Sequence, residues 1–208
     1  MVSQADVDAE IAYLTTDGCN KPQGWLNTAR NLLSCAELSM RMINSGRALL
    51  DNFARSPEEH ALVSRSTQTI ATTLMLYAFA IECLMKAHYV VSGHKLYDGG
   101  VLKQIPGVKP NHDLLKLCRA VELFDEFEPR QIEVLDKLTL FSEVGRYPGP
   151  ANSIRYGHKL VDGGKGMKMK GIWGGDEYAV THQVLEKLYQ KLGETMPVHA
   201  NVLLERNK

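Results

Sequence analysis

Along this chain the polar positions thin out towards one stretch. From Ser66 to Ile81 sixteen consecutive residues carry no charge, and apolar residues dominate onward to Val91 around Glu82, Lys86 and His88. A helix apolar around most of its circumference predicts the centre of a bundle. Glu82 and Lys86, four residues apart with the carboxylate first, share one face of it. Gly93 stops the run. Upstream, Pro22 opens a helix in which Leu26, Ala29, Leu33, Ala36, Met40 and Ile43 recur at three and four residues. Gly46 is placed to interrupt it, and Leu49, Leu50 and Phe53 carry the pattern on. Ser56-Pro57-Glu58-Glu59 is a start signal with Ser as cap, Pro at the first position and Glu at the third. The central helix is expected to bend near Ser64–Thr67. A short first helix capped by Ser3 has Val7, Ile11 and Leu14 on one face and ends at Asp17-Gly18.

Downstream, His94–Lys109 contains Gly99, Gly100, Pro106 and Gly107 and reads as a loop. Asn111 or Asp113 then caps a helix bearing Leu114, Leu117, Cys118 and Val121. Glu128-Pro129 opens another with Ile132, Leu135, Leu138 and Phe141 inward, closed by Gly145. Between 145 and 175 the helical period disappears, and nine of the 17 glycines fall there. Ile154–Val161 and Met167–Trp173 are extended candidates joined through Asp162-Gly163, a hairpin signal. Asp176 is placed to cap the last helix, with Val180, Val184, Leu188 and Leu192 inward and Gly193 and Pro197 ending it. The pattern predicts an all-α, four- to five-helix up-down bundle in a single domain. Its core spans about 22–148 plus 176–193, and a basic Gly-rich β-hairpin or loop is inserted at 146–175.

Composition narrows the classes. A chain of 208 residues buries enough surface to fold without a metal or disulfide staple. Lys+Arg and Asp+Glu both total 24, so any electrostatic recognition is local. Cys19, Cys35, Cys83 and Cys118 lie far apart and form no Cys-x-x-Cys pair, which predicts reduced, mostly buried thiols. Asp6, Asp8 and Glu10 near the N-terminus do not fit a signal peptide, so a cytoplasmic location is expected. The uncharged run falls short of a bilayer span and predicts no membrane partner.

Ala80-Ile81-Glu82-Cys83-Leu84-Met85-Lys86-Ala87, then Gly93, then His112-Asp113-Leu114-Leu115-Lys116-Leu117, resembles the HEPN superfamily of helical domains. The earlier helix with Trp25, Ala29 and Ala36 and the later Arg146-Tyr147-Pro148 fit the same likeness, which covers about residues 22–148. The resemblance implies a helical bundle that dimerises. It also implies either metal-independent ribonuclease activity of toxin–antitoxin or phage-defence type, or a non-catalytic partner role. Cleaving members carry an Arg followed four to six residues later by a His, downstream of the Glu-x-x-x-Lys helix. Here only Arg55 and His60 have that spacing, and they precede the helix, one match being about what chance gives.

Each remaining constellation has a sharp and a plain reading. Glu82 and Lys86, with His112, could organise a polar site; a structural ion pair with a packed histidine is preferred. Arg146, Arg155, Lys159, Lys165, Lys168 and Lys170 face a single Asp162, with Tyr147, Tyr156 and Trp173 interleaved. Cations that meet phosphates beside aromatics that stack on bases suit single-stranded nucleic acid. The plain alternative is a solvated Gly-rich loop. No metal site or cofactor is expected. The leading expectation is a homodimeric module associated with RNA or with a toxin–antitoxin or defence partner. One alternative is an endoribonuclease with His158 as acid/base and Arg146 or Arg155 on the phosphate. The other is a purely structural protein–protein interaction domain.

Overall fold

The structure is a computed structural model that describes residues 3–5, 18–51, 56–98, 101–109, 112–144, 158–160, 167–169 and 175–197. It is mostly helical. After a 3-10 turn at Gly18–Asn20 come α1 (Pro22–Asp51), α2 (Pro57–Val91), β1 (Tyr97–Asp98) and β2 (Val101–Leu102). Then follow α3 (Leu114–Ala120), a 3-10 turn (Phe124–Glu126), α4 (Pro129–Val144), β3 (His158–Leu160), β4 (Met167–Met169) and α5 (Gly175–Lys191). The expected first helix, apart from Ser3–Ala5, lies outside the described residues, as does the expected stop at Gly145.

α2 is the axis of the bundle. From Thr73 to Val90 none of its residues is exposed, and Leu74, Tyr77, Ile81, Leu84 and Met85 are fully buried. Its stretch Thr69–Val91 has a mean hydropathy of 1.5 and by length and composition is long enough to cross a bilayer, further than the uncharged run alone suggested. Two-thirds of that apolar window is buried inside the protein, the environment of a bundle's core helix. α1 runs antiparallel to α2: Trp25 meets Lys86 near one end, and Glu37 meets Tyr77 further along. α5 runs parallel to α2, Tyr178 lying beside Tyr77 and the Leu188 carbonyl beside His88.

Local chemistry sets the element ends. Ser56 caps α2 by accepting from Glu59 N (3.2 Å), while the Glu59 carboxylate accepts from Ser56 N (2.9 Å), the reciprocal box read in the sequence. Asp113, not Asn111, caps α3 by accepting from Lys116 N at 3.0 Å. α2 is one continuous helix through the region of the expected bend, and α1 passes through the buried Gly46 without a break. α5 begins at Gly175, so Asp176 sits inside its first turn, where with Glu177 it favours the positive end of the helix dipole. The 94–109 loop contains the small β1–β2 hairpin.

Three helices close in the same six-residue motif. At α2, Gly93 N donates to Val90 O and His94 N to Tyr89 O; at α5, Gly193 N donates to Gln190 O and Glu194 N to Tyr189 O. At α3, Glu122 N donates to Arg119 O and Leu123 N to Cys118 O. The motif needs a left-handed residue. Gly93 (φ 87°) and Gly193 (φ 71°) supply it at little cost, whereas Glu122 (φ 59°) adopts it with a side chain.

Candidate functional site

The spacing that put Glu82 and Lys86 on one face of α2 gives a contact: Lys86 Nζ lies 2.5 Å from Glu82 Oε1. The turn before α3 brings His112 to the other oxygen, with Nδ1 2.8 Å from Glu82 Oε2. The three residues assigned from sequence to a polar core therefore meet in space. Glu82 is 4 % exposed, so its charge needs these partners. Burial alone pushes its carboxyl up, but the bonds from His112 and Lys86 outweigh that and hold it below the usual carboxylate range. An ionised carboxylate only accepts, so His112 carries its proton on Nδ1.

The loop that holds His112 is itself tied down. Ser142 Oγ lies 2.8 Å from Thr139 O and 3.1 Å from His112 O, so its single proton is shared between them. Leu114 N donates to Thr139 Oγ1 at 3.1 Å. On the outer side, Lys86 Nζ sits 5.0 Å from the centre of the Trp25 ring. The Trp25 indole N–H is used on Cys19 O at 2.9 Å. Trp25, Lys86 and Lys103 line a narrow cleft with Leu96, Ile105 and Val108, with room for about one water molecule.

Asn20 fixes the hairpin that forms one wall. Its Oδ1 accepts from Leu96 N and Tyr97 N, both at 2.9 Å, and its Nδ2 donates to Tyr97 O at 2.8 Å. Sequence reading gave Asn20 no role, because a clamp between segments 76 and 77 residues apart leaves no local pattern.

A second polar cluster joins α1, α2 and α5. Tyr77 Oη donates to Glu37 Oε1 at 2.7 Å, and burial together with Glu37 pushes the Tyr77 phenol far above its usual range. His182 Nε2 is 3.2 Å from the same oxygen. Among the described residues neither His182 nitrogen has a partner in hydrogen-bonding geometry, so the approach to Glu37 is close packing. The signal available in sequence was an acid at 37 beside the inward positions 36 and 40. A third network, Arg130, Glu133, Lys137 and Glu177, joins α4 to α5, with Lys137 Nζ 2.9 Å from Glu177 Oε1.

No family model, curated protein or solved structure matches this chain.

Of the basic segment, the described part is the β3–β4 ladder, which falls inside the two stretches expected to be extended. It pairs His158 with Met169, Lys159 with Lys168 and Leu160 with Met167. Arg146, Arg155, Tyr156, Lys165, Lys170 and Trp173 lie outside the described residues. Arg55 does too, so the upstream Arg/His spacing has no described geometry, while His60 is exposed on α2.

Among the described residues no group of three or more His, Cys, Asp or Glu is placed to hold a metal ion. Cys83 and Cys118 are buried, and burial pushes both thiols up to about 12, which leaves them protonated and inert at neutral pH. The expectation of mostly buried thiols holds for these two. Cys19 is half-buried, and Cys35 sits on the outer face of α1.

Proposed function

We propose that this chain is a HEPN-like helical module that binds single-stranded RNA through its basic segment without cleaving it, and acts as a homodimer in a defence-type system. The observation that carries the RNA reading is the register of β3–β4, which sets Lys159 directly opposite Lys168. Residues opposite one another in an antiparallel pair belong to one face of the ladder, so the register gathers two basic positions. Basic positions brought together suit the phosphates of a nucleic-acid backbone. The non-catalytic part rests on the absence of an Arg-to-His spacing of four to six residues after α2. It is supported by Glu82, whose two oxygens are both engaged in holding the fold.

The test is binding of a fluorescent oligouridine across a salt series in EDTA, with Lys159→Ala plus Lys168→Ala as the variant. Each lost phosphate contact flattens the log–log salt slope by about 0.7, so the double variant should flatten it by about 1.4. An unchanged slope removes the basic-hairpin reading. Oligonucleotide shortened in EDTA, with cleavage lost in His158→Ala, would replace the binding module with a ribonuclease. Light scattering on the purified chain tests the dimer, and a monomer at high concentration refutes it.

A further inference from the structure

We infer that one end of the bundle is the dimer interface, where the basic 94–109 loop of each copy docks on the acidic 122–128 turn of the other. This rests on the homodimer reading above and gives it a surface.

The fold brings both segments to the same end. The loop follows directly on the stop of α2 at Gly93 and is tied to Asn20, just before α1. α5 runs beside α2 to that end, its Leu188 carbonyl lying 3.1 Å from His88 Nε2. There the last turns of α5 hold the acidic turn. Lys187 Nζ donates to Glu126 O at 2.5 Å, and Lys191 Nζ lies 2.8 Å from Glu126 Oε1.

Charge divides between the two segments. From 92 to 109 the chain carries Lys95, Lys103 and Lys109 against Asp98 alone, and all three lysines are exposed. From 121 to 129 it carries Glu122, Asp125, Glu126 and Glu128 with no Lys or Arg, and all four acids are exposed. Lys103 is engaged by Asp98 and Glu126 by Lys191. The side chains of Lys95, Lys109, Glu122, Asp125 and Glu128 form no ion pair among the described residues. Opposite patches that do not meet within one chain are complementary between two copies, and a twofold axis makes each contact twice.

Apolar surface gathers at the same end. Among the described residues four large apolar side chains are exposed, and three of them lie here: Val91 (59 %), Val101 (65 %) and Leu102 (49 %). On the acidic turn the matching apolar surface is Phe124, half-buried with Arg119 over its ring. Exposed apolar groups rimmed by charge have the anatomy of a protein interface. A second copy supplies both signs of charge, whereas the acidic turn would repel a nucleic acid. Both segments are also held in shape in the single chain. Three Asn20 bonds and the 2.7 Å bond from Lys103 N to Leu96 O fix the loop, and Leu123 N donates to Cys118 O at 3.0 Å before the turn. Preformed surfaces lose less ordering entropy on binding.

Two charge-reversed chains test the interface. One carries Lys95→Glu plus Lys109→Glu, the other Asp125→Lys plus Glu128→Lys, with folding checked by far-UV circular dichroism. Light scattering reads the mass of each chain alone and of their equimolar mixture. The wild-type chain should be a dimer. Each reversed chain should dissociate about tenfold more readily or beyond, because like charges then face each other in both contacts. The mixture should recover the dimer mass, since only the heterodimer restores opposite charges at both contacts. The wild-type dimer should also weaken as salt is raised from about 0.05 M to about 0.5 M, and a salt-independent dimer overturns the inference whatever the variants do. Reversed chains that stay dimeric alone place the interface elsewhere, which overturns this inference and leaves the homodimer reading standing. Folded reversed chains that remain monomeric in the mixture overturn it too. A wild-type chain that is monomeric at high concentration overturns the homodimer reading and this interface with it.

Discussion

Lys86 joins two environments: it neutralises a buried carboxylate on one side and meets an aromatic ring and a cleft on the other. Lys86→Met keeps most of the aliphatic stem but leaves Glu82 with His112 alone. Removing one partner of a buried pair costs about 3–5 kcal/mol, because the remaining charge is stranded. His112 and the partial exposure of Lys86 place the expected loss at the lower end, about 3 kcal/mol, measured from urea unfolding midpoints. A loss below about 1 kcal/mol would mean that Glu82 finds water or neutralises itself. At this scale the sequence was informative where partners lie one helical turn apart, as at 82 and 86. It was silent for Asn20, and for Glu37 with Tyr77, whose partners arrive only when α1 and α2 pack.

Helix ends are where single residues act on whole elements. Gly93 and Gly193 were legible as stops because glycine enters the left-handed region freely. The end of α3 was not legible, because Glu122 occupies the equivalent position. A left-handed side-chain residue costs roughly 1–2 kcal/mol, so Glu122→Gly should raise stability by up to about 1 kcal/mol once the unfolded-state entropy of glycine is set against it. A measured destabilisation would show that the Glu122 side chain makes compensating contacts.

Gly24 is the opposite case. A Cβ there would come within 2.4 Å of the Gly18 carbonyl, backbone that cannot swing aside. Gly24→Ala should cost about 1–3 kcal/mol by overpacking. It should also shift the Trp25 emission, since the displaced turn carries the Cys19 carbonyl that accepts from the indole. An Ala variant as stable as the parent would show that the 3-10 turn is free to move.

For the molecule as a whole, acid is the expected weakness. Burial, helped by Lys191 and opposed by the bond to the Leu188 carbonyl, holds the His88 pKa below its usual value. The unfolded chain therefore takes up that proton first, and stability declines as pH falls below about 6.5. The Glu82 carboxyl is also lowered, so its contribution is present above about 4.3 and is lost as pH falls further. The melting temperature should fall in two stages between pH 7 and pH 3.5. His88→Gln keeps a donor for the Leu188 carbonyl and should remove the upper stage. A wild-type curve flat down to pH 5 would contradict this. The helical architecture and the covered axis were legible in the sequence because burial imposes a period on the residues. The position of the cleft was not, since three segments distant in sequence build it.

α5 begins close to α4, since Glu177 bonds Lys137, seven residues before Val144. The gap to be bridged is therefore about 20 Å, counting the helical rise and the two side chains. Some eight extended residues reach that far, yet the chain spends thirty between Val144 and Gly175. Splicing in an eight-residue Gly/Ser tether should leave the bundle intact and firmer by about 1 kcal/mol, the ring-closure entropy recovered. A bundle that survives the splice would mark the surplus length as cargo that the scaffold carries and does not itself require.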